Sequence, residues 1–300
     1  MSPWTALGVM LLALFVGATL NAASLVETAS SNPPGVLRDV AVWVAERLLD
    51  VSSAAGLDRP RSIIDDLVHD GSGRAIEPRE PGAVFVPTTE HRAMLLVAGD
   101  SLVDPFGPAL VNAAERTGMI SADWEVQYSS GLTRPLLFDW QTHLASRLDE
   151  TGFDMVVFMI GANDAQPIET STGWASTGTV EWAAEYRSRV GALMDQLTAA
   201  VPTVYWVGQP IARSAEHSAR MAAVNEIYRA EAESRSGVRY LDAWLLFADA
   251  AGRYNAYLPD DHGRTVLMRQ DDGIHLTHDG AERLAREVLD SIRADWEIAR

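Results

Sequence analysis

The stretch LLVAGDSLVD at residues 95–104 ends an apolar run in a polar turn that contains Ser101. Such a turn can be an ordinary cap, or it can present the serine hydroxyl as a nucleophile. A serine nucleophile needs a general base that accepts its proton and a third group that orients the base. Near the C-terminus, DDGIHLTHDG places Asp272 three residues before His275. In a loop, this spacing lets the carboxylate reach the imidazole Nδ1 while Nε2 points away.

Two further stretches contain hydrogen-bond donors for a developing oxyanion. Asn163, in IGAND, ends an apolar run and carries an amide NH2 group. Gly131, in YSSGLTRP, lacks a side chain, which lets its backbone N–H approach a substrate oxygen closely. Donors of this kind stabilise the transition state of acyl transfer.

The four blocks Gly99–Leu102, Gly131, Gly161–Asp164 and Asp272–His275 together resemble the SGNH (GDSL-type) hydrolases. They occur in the order of that family and cover residues 93–300. The resemblance implies a flavodoxin-like sheet and an ester-cleaving or acyl-transferring site. No cofactor is expected.

The same resemblance implies the role of each residue. Ser101 is the nucleophile, His275 the base and Asp272 its partner. The backbone N–H groups of Ser101 and Gly131, with the Asn163 side chain, form the oxyanion hole. Around Gly131 the sequence SSGLTRP departs from the Asn- and Gly-rich surroundings of many family members, so this assignment is the weakest.

The elements that must position these residues alternate along the chain. Short apolar runs predict strands at 93–99, 124–128, 154–160, 203–208 and 237–242. Between and after them, helices are predicted at 106–118, 136–149, 180–200, 215–234 and 279–297. Continuous apolar strands suit a sheet buried on both faces, so we predict a three-layer α/β/α domain with a mostly parallel sheet. Ligands bind beyond the carboxyl ends of such strands, where Ser101 and Asn163 should lie.

The composition excludes several kinds of chemistry. The chain has no cysteine, and all 24 of its basic residues are arginine. Thiolate nucleophiles, thiolate metal sites, Schiff-base lysines and Walker-type phosphate loops are therefore excluded. The net charge of −17 makes nucleic acid an unfavourable partner.

The N-terminus predicts a membrane segment. No charged side chain occurs from Ser2 to Val26, and the apolar run is long enough to cross a bilayer. We interpret residues 1–26 as an anchor or signal, residues 27–92 as a helical segment with a Pro/Gly-rich linker, and residues 93–300 as the hydrolase domain. An anchored domain of this kind resembles the cell-envelope branch of the family, which acts on acyl groups of surface glycans. That resemblance favours an extracytoplasmic location.

Candidate substrate contacts are Trp174, Arg134 and Arg269. Trp174 lies in the long loop AQPIETSTGWASTGT, where it would stack on a sugar or pack the loop down. The two arginines would bind an acidic group or be ordinary surface residues. His278 is an alternative to His275, and the nearby Asp and His residues leave a metal site open as a minor alternative.

These observations support three hypotheses for function. The first is a serine esterase that forms an acyl-enzyme from O-acyl esters, expected to be acetyl esters of envelope carbohydrate. The second is an O-acyltransferase that passes the acyl group to an envelope polysaccharide, with a membrane acyltransferase as partner. The third is a non-catalytic envelope binding or scaffold protein on the same fold.

Overall fold

The computed structural model describes Val44, Arg47 and residues 85–299. The chain divides into two units, Met1–Ala75 and Ile76–Arg300, and the fold reported below is that of the second. The predicted anchor at 1–26 lies outside the described residues. So does most of the predicted segment at 27–92, in which Val44 and Arg47 are helical. Among the described residues, no helix has the length and apolar character needed to cross a membrane.

One parallel sheet organises residues 85–299. Its strands are β1 (Ala93–Gly99), β2 (Ile120–Val126), β3 (Met155–Met159), β6 (Thr203–Val207) and β7 (Val238–Leu241). Two antiparallel hairpins pair β4 (Ile168–Thr170) with β5 (Gly173–Ala175) and β8 (Tyr257–Pro259) with β9 (Thr265–Leu267). The α-helices are α1 (Val103–Glu115), α2 (Trp140–Glu150), α3 (Val180–Ala200), α4 (Ala215–Glu233) and α5 (His278–Asp295), and a 3₁₀ turn spans Leu245–Phe247.

The order of the main sheet is β2-β1-β3-β6-β7, with every neighbouring pair parallel. This is the flavodoxin-like order, and its direction reverses between β1 and β3, where a ligand crevice is expected. Gly99 pairs with Val126 on one side and Met159 on the other. The loops that follow β1, β2 and β3 therefore start side by side at the carboxyl edge of the sheet.

Two apolar layers enclose the sheet, because successive residues of each strand face opposite sides. Leu95 and Val97 face α1 and α5, whereas Leu96 and Ala98 face α2, α3 and α4. These four side chains have no exposed surface. Burial of each large apolar side chain contributes roughly 1.5–3 kcal/mol, so packing on both faces holds the carboxyl edge of the central strands firmly. The predicted three-layer α/β/α fold is confirmed.

Some boundaries differ from the prediction for local reasons. Strand β2 begins at Ile120, four residues earlier than predicted. Helix α2 begins at Trp140 and not at 136, because the Asp139 side chain caps it by accepting the N–H groups of Gln141 and Thr142. The hairpin β4–β5 lies within a stretch that was predicted to be a plain loop.

Candidate active site

Ser101 lies in the tight turn between β1 and α1. The turn starts at Gly99, whose φ is +155° and whose Cβ, if present, would lie 1.8 Å from the carbonyl oxygen of Met159. Only glycine fits this position. The sharp exit from β1 leaves the partly buried Ser101 at the carboxyl edge of the sheet, directly before the N-terminus of α1.

The structure places Ser101, His275 and Asp272 in one hydrogen-bonded row. His275 Nε2 lies 2.8 Å from Ser101 Oγ, and His275 Nδ1 lies 2.5 Å from Asp272 Oδ2. An ionised carboxylate only accepts hydrogen bonds, so the ring proton belongs on Nδ1. Nε2 is then free to accept the proton of the serine hydroxyl, which is the arrangement that a general base requires.

The carboxylate of Asp272 is fixed by its own loop. Its Oδ1 accepts the backbone N–H groups of Ile274 at 2.7 Å and His275 at 3.0 Å. Burial raises the pKa of this carboxyl, but the bonds from the His275 ring and from these two N–H groups outweigh it and leave the pKa lowered. Asp272 is therefore ionised at neutral pH. Its side chain is 43% exposed, and that of His275 is 32% exposed, so the site opens to solvent.

The predicted oxyanion donors come from the three adjacent loops that follow β1, β2 and β3. Within residues 85–299, the backbone N–H groups of Ser101 and Gly131 donate to no other protein group. Asn163 Nδ2 donates one hydrogen bond to the Ser130 carbonyl at 3.0 Å, which leaves its second amide hydrogen available. The loops thus supply unpaired donors beside the serine, and their role in stabilising an oxyanion stays a prediction.

Gly131 is held close to a buried acid. A Cβ at this position would lie 2.3 Å from Asp164 Oδ1, so no larger residue fits without displacing the backbone or the carboxylate. The sequence assignment of Gly131 was the weakest of the set. Its unpaired N–H and this close approach both support a special role for glycine here.

Arg269 does not reach the site, and its predicted contact with substrate is wrong. Its side chain is only 1% exposed and lies beneath the loop that carries Asp272 and His275. Its Nη2 donates to the carbonyls of Ile274 at 2.5 Å and Gly273 at 3.4 Å. From the other side, Arg213 donates through Nη1 to the Asp271 carbonyl at 2.7 Å. Two arginines therefore hold this loop by its backbone oxygens.

The other two predicted substrate contacts lie in the connections that follow β2 and β3. Trp174 is 69% exposed on β5, opposite Glu169 in the β4–β5 hairpin. Arg134 is partly buried and follows Gly131 in the loop after β2. Both contacts remain predictions.

His278 is separated from the serine and pairs with Glu282 instead, at 3.3 Å on the exposed side of α5. Among the described residues, no group of three or more His, Asp or Glu side chains could hold a metal ion. A broad depression lined by Arg229, Tyr240 and Asp295 lies at the amino edge of the sheet, away from Ser101.

Two acidic residues support the loops of the site. The sequence favours a structural role for Asp100 in its own turn and a role as cap or loop anchor for Asp164, and it does not show which loops they connect. Both have no exposed surface and both connect separate loops. Their positions directly beside Ser101 and Asn163 were the available signal, but only the fold shows which backbone groups they bind.

Comparisons with known proteins agree with this fold. A structure provisionally assigned as a platelet activating factor from Streptococcus pneumonia aligns with a TM-score of 0.53 and 16% identity, over 83% of this chain and 98% of that chain. A catalytic mutant of Axe2, an acetylxylan esterase from Geobacillus stearothermophilus, aligns with a TM-score of 0.49 and 18% identity, over 69% of this chain and 97% of that chain.

Similarity at such low identity shows the fold alone, and that fold is the flavodoxin-like three-layer α/β/α fold that the sequence predicted. No curated protein matches the chain. A family model described as protein of unknown function (DUF459) matches residues 94–291, which include all four blocks. The chain belongs to the DUF459 family.

Proposed function

We propose that this domain is a serine esterase that cleaves O-acyl esters through an acyl-enzyme. The observation that carries the proposal is the hydrogen-bonded row of three side chains. Ser101 Oγ lies 2.8 Å from His275 Nε2, and His275 Nδ1 lies 2.5 Å from Asp272 Oδ2. This row lies at the reversal point of the sheet, beside three loops that supply unpaired or partly unpaired donors. A nucleophile, an oriented base and oxyanion donors are the parts that acyl transfer needs.

In the proposed mechanism, Ser101 Oγ attacks the ester carbonyl as His275 Nε2 accepts its proton. The carbonyl oxygen becomes the oxyanion and receives hydrogen bonds from Ser101 N–H, Gly131 N–H and the Asn163 amide. His275 then returns the proton to the leaving alcohol, and the acyl group stays on Ser101. Water, deprotonated by His275, attacks the acyl-enzyme, and His275 returns this proton to Ser101 Oγ as the bond to the acyl group breaks and the free acid leaves.

We propose acetyl esters of cell-envelope carbohydrate as the substrates. The resemblance to the envelope branch of SGNH hydrolases supports this choice, as does exposed Trp174, which offers a flat apolar surface for a sugar ring. A sugar hydroxyl in place of water would make the same site an O-acyltransferase. Adding acetylated and unacetylated glycan together separates the two, because transfer diverts acetyl from free acetate to the acceptor.

The first experiment measures turnover of p-nitrophenyl acetate and labelling by a fluorophosphonate probe. The full chain is compared with Ser101→Ala and His275→Ala, and His278→Ala serves as the matched histidine control. We expect Ser101→Ala to abolish labelling and both site variants to lower kcat by at least about 1000-fold, with His278→Ala unchanged. Turnover and labelling that survive in Ser101→Ala would overturn the proposal.

We also propose that residues 1–26 anchor the domain to a membrane on its extracytoplasmic side. The uncharged stretch from Ser2 to Val26 supports this. Cell fractionation of the full chain beside a chain without residues 1–26 tests it. Recovery of both proteins in the soluble fraction would contradict the anchor.

A further inference from the structure

Two carboxyl groups without any exposed surface, Asp100 and Asp164, lie behind the proposed oxyanion hole. Within residues 85–299, neither forms an ion pair. Arg189, which contacts the loop after β2, donates to the carbonyls of Leu132 and Thr133 and forms its ion pair with Glu185, not with Asp164. Burying an unpaired ionised carboxylate costs several kcal/mol, so the surroundings of each group decide its protonation state.

Asp100 is surrounded by donors. Its Oδ2 accepts the N–H groups of Gly161 at 3.0 Å and Ala162 at 3.1 Å, and its Oδ1 accepts the N–H of Leu102 at 3.0 Å. None of these partners can accept a proton. Asp100 therefore acts as an acceptor that ties the Ser101 turn to the loop carrying Asn163.

The two carboxyl oxygens of Asp164 have different hydrogen-bond partners. Its Oδ1 accepts the backbone N–H of Thr133 at 2.9 Å and the Thr133 hydroxyl at 3.0 Å. Its Oδ2 lies 2.7 Å from the hydroxyl of Tyr186, which can either donate or accept. Asp164 thereby ties the loop that carries Asn163 to the loop that carries Gly131.

The tyrosine hydroxyls continue as a chain of short contacts. Tyr186 and Tyr228 hydroxyls lie 2.6 Å apart, and the Tyr228 hydroxyl lies 2.9 Å from the Ile160 carbonyl oxygen. With the contact to Asp164, three oxygen–oxygen contacts need three protons, but two tyrosine hydroxyls supply only two. A carbonyl supplies none. If Asp164 were ionised, two oxygens of this chain would face each other at hydrogen-bond distance with no hydrogen between them.

We propose that Asp164 is a neutral carboxylic acid that donates its proton to Tyr186, starting a relay through Tyr228 to the Ile160 carbonyl, and that in this state it positions the oxyanion hole. The positioning role rests on the proposed function. The relay does not, because it follows from the contacts alone. If Asp164 is neutral, Asp100 is the only one of these two buried acids that can carry a negative charge. The proposed oxyanion then forms near one buried charge and not near two.

The electrostatic surroundings agree with the proton count. In the part of the chain that the structure describes, the titratable groups that interact with Asp164 are Asp100, Tyr186 and Tyr228, and none of the three is a cation. Burial raises the pKa of the Asp164 carboxyl above its usual value, against the lowering effect of its hydrogen bonds. Burial and the nearby carboxyl likewise raise the pKa of both tyrosines, so neither tyrosine is ionised.

The first test locates the proton without reference to activity. The infrared difference spectrum between the wild-type full chain and Asp164→Asn is recorded at pH 7. We expect the wild type to show a protonated-carboxyl band that the variant lacks. Asp100→Asn is the matched control, because it removes a buried carboxyl that receives only donors, and the band should persist in it. Loss of a carboxylate band in Asp164→Asn, with no protonated-carboxyl band, would overturn the relay.

The second test concerns positioning and uses the isostere. Asparagine can accept from Thr133 through its oxygen and donate to Tyr186 through its NH2, so it imitates the neutral acid. We expect Asp164→Asn to keep kcat within about threefold of wild type, because both hydrogen bonds survive. We expect Asp164→Ala to lower kcat about 100-fold at a nearly constant KM, because the Gly131 loop loses its support.

The outcomes separate this inference from the proposed function. If Asp164→Ala does not fold, the isostere and the spectrum still decide the matter. An active wild type whose kcat falls 100-fold in Asp164→Asn would refute the neutral acid as the positioning group. A wild type without Ser101-dependent turnover would overturn the proposed function and the positioning role together, whereas the spectrum would still decide where the proton lies.

Discussion

Gly131→Ala tests the proposed oxyanion donor whose assignment from sequence was weakest. The added Cβ would lie 2.3 Å from Asp164 Oδ1. A carbon and an oxygen atom that are not bonded to each other need a separation of more than about 3 Å, so the backbone of the loop has to move by roughly 1 Å. The carboxyl cannot easily yield, because Thr133 at 2.9 Å and Tyr186 at 2.7 Å hold both of its oxygens.

A displacement of about 1 Å takes the Gly131 N–H out of hydrogen-bond range of the oxyanion. We therefore expect kcat to fall by about 100-fold, with KM for p-nitrophenyl acetate nearly unchanged, since this donor acts mainly in the transition state. The assay is steady-state hydrolysis by the full chain, together with urea unfolding followed by tryptophan fluorescence to show that the variant is folded.

Gly191→Ala is the matched control. Its Cβ would meet only the ends of the Arg235 and Glu231 side chains, at 2.8 Å each, and these can move aside. It lies in α3, in the middle of a helix where alanine is favoured over glycine. A folded Gly131→Ala enzyme with the kcat of wild type would refute Gly131 as an oxyanion donor.

Two further predictions concern buried charge. Burial raises the pKa of Asp100 from 3.8 to about 6. Its contribution to stability is thus fully present below pH 3.8 and is lost as the pH rises through about 6. Between about pH 4 and pH 7, the unfolding free energy of wild type should fall by about 3 kcal/mol relative to Asp100→Asn, as urea titrations at each pH would show. A difference that stays constant with pH would contradict this. Arg269→Met should lower kcat about tenfold by loosening the catalytic loop. It should change the unfolding free energy by less than about 1 kcal/mol, because losing the Nη2 hydrogen bonds is offset by removing a buried charge whose Nε and Nη1 have no hydrogen-bond partner among the described residues. An unfolding curve shifted by several kcal/mol would show that Arg269 mainly supports the fold.

The sequence alone predicted those features of the fold and the site that depend on a local pattern of residues. Continuous apolar runs predicted the parallel strands, and their alternation with helices predicted the three layers. The spacing between Asp272 and His275 correctly predicted a carboxylate in contact with Nδ1, because three residues of loop suffice to bring the two side chains together. The block order also indicated that Ser101 would lie near this pair.

Arg269 and the two buried acids could not be assigned in this way. An arginine in a loop is ordinarily solvated, and only the packing of Phe247 and Tyr254 against its guanidinium shows that it is buried. Burial depends on elements far away in the chain, and no local pattern encodes it.

Residue types and their order along the chain thus determined which groups can do chemistry: a serine, a histidine, its carboxylate and an amide. The tertiary structure alone decided how these groups are supported. Asp100 accepts the N–H of Gly161 only because β1 and β3 are neighbours in the sheet. Asp164 accepts hydrogen bonds from Thr133 only because the loop after β2 lies next to the loop after β3. Hydrogen bonds between loops depend on which strand ends are adjacent, and that adjacency exists only once the sheet has formed.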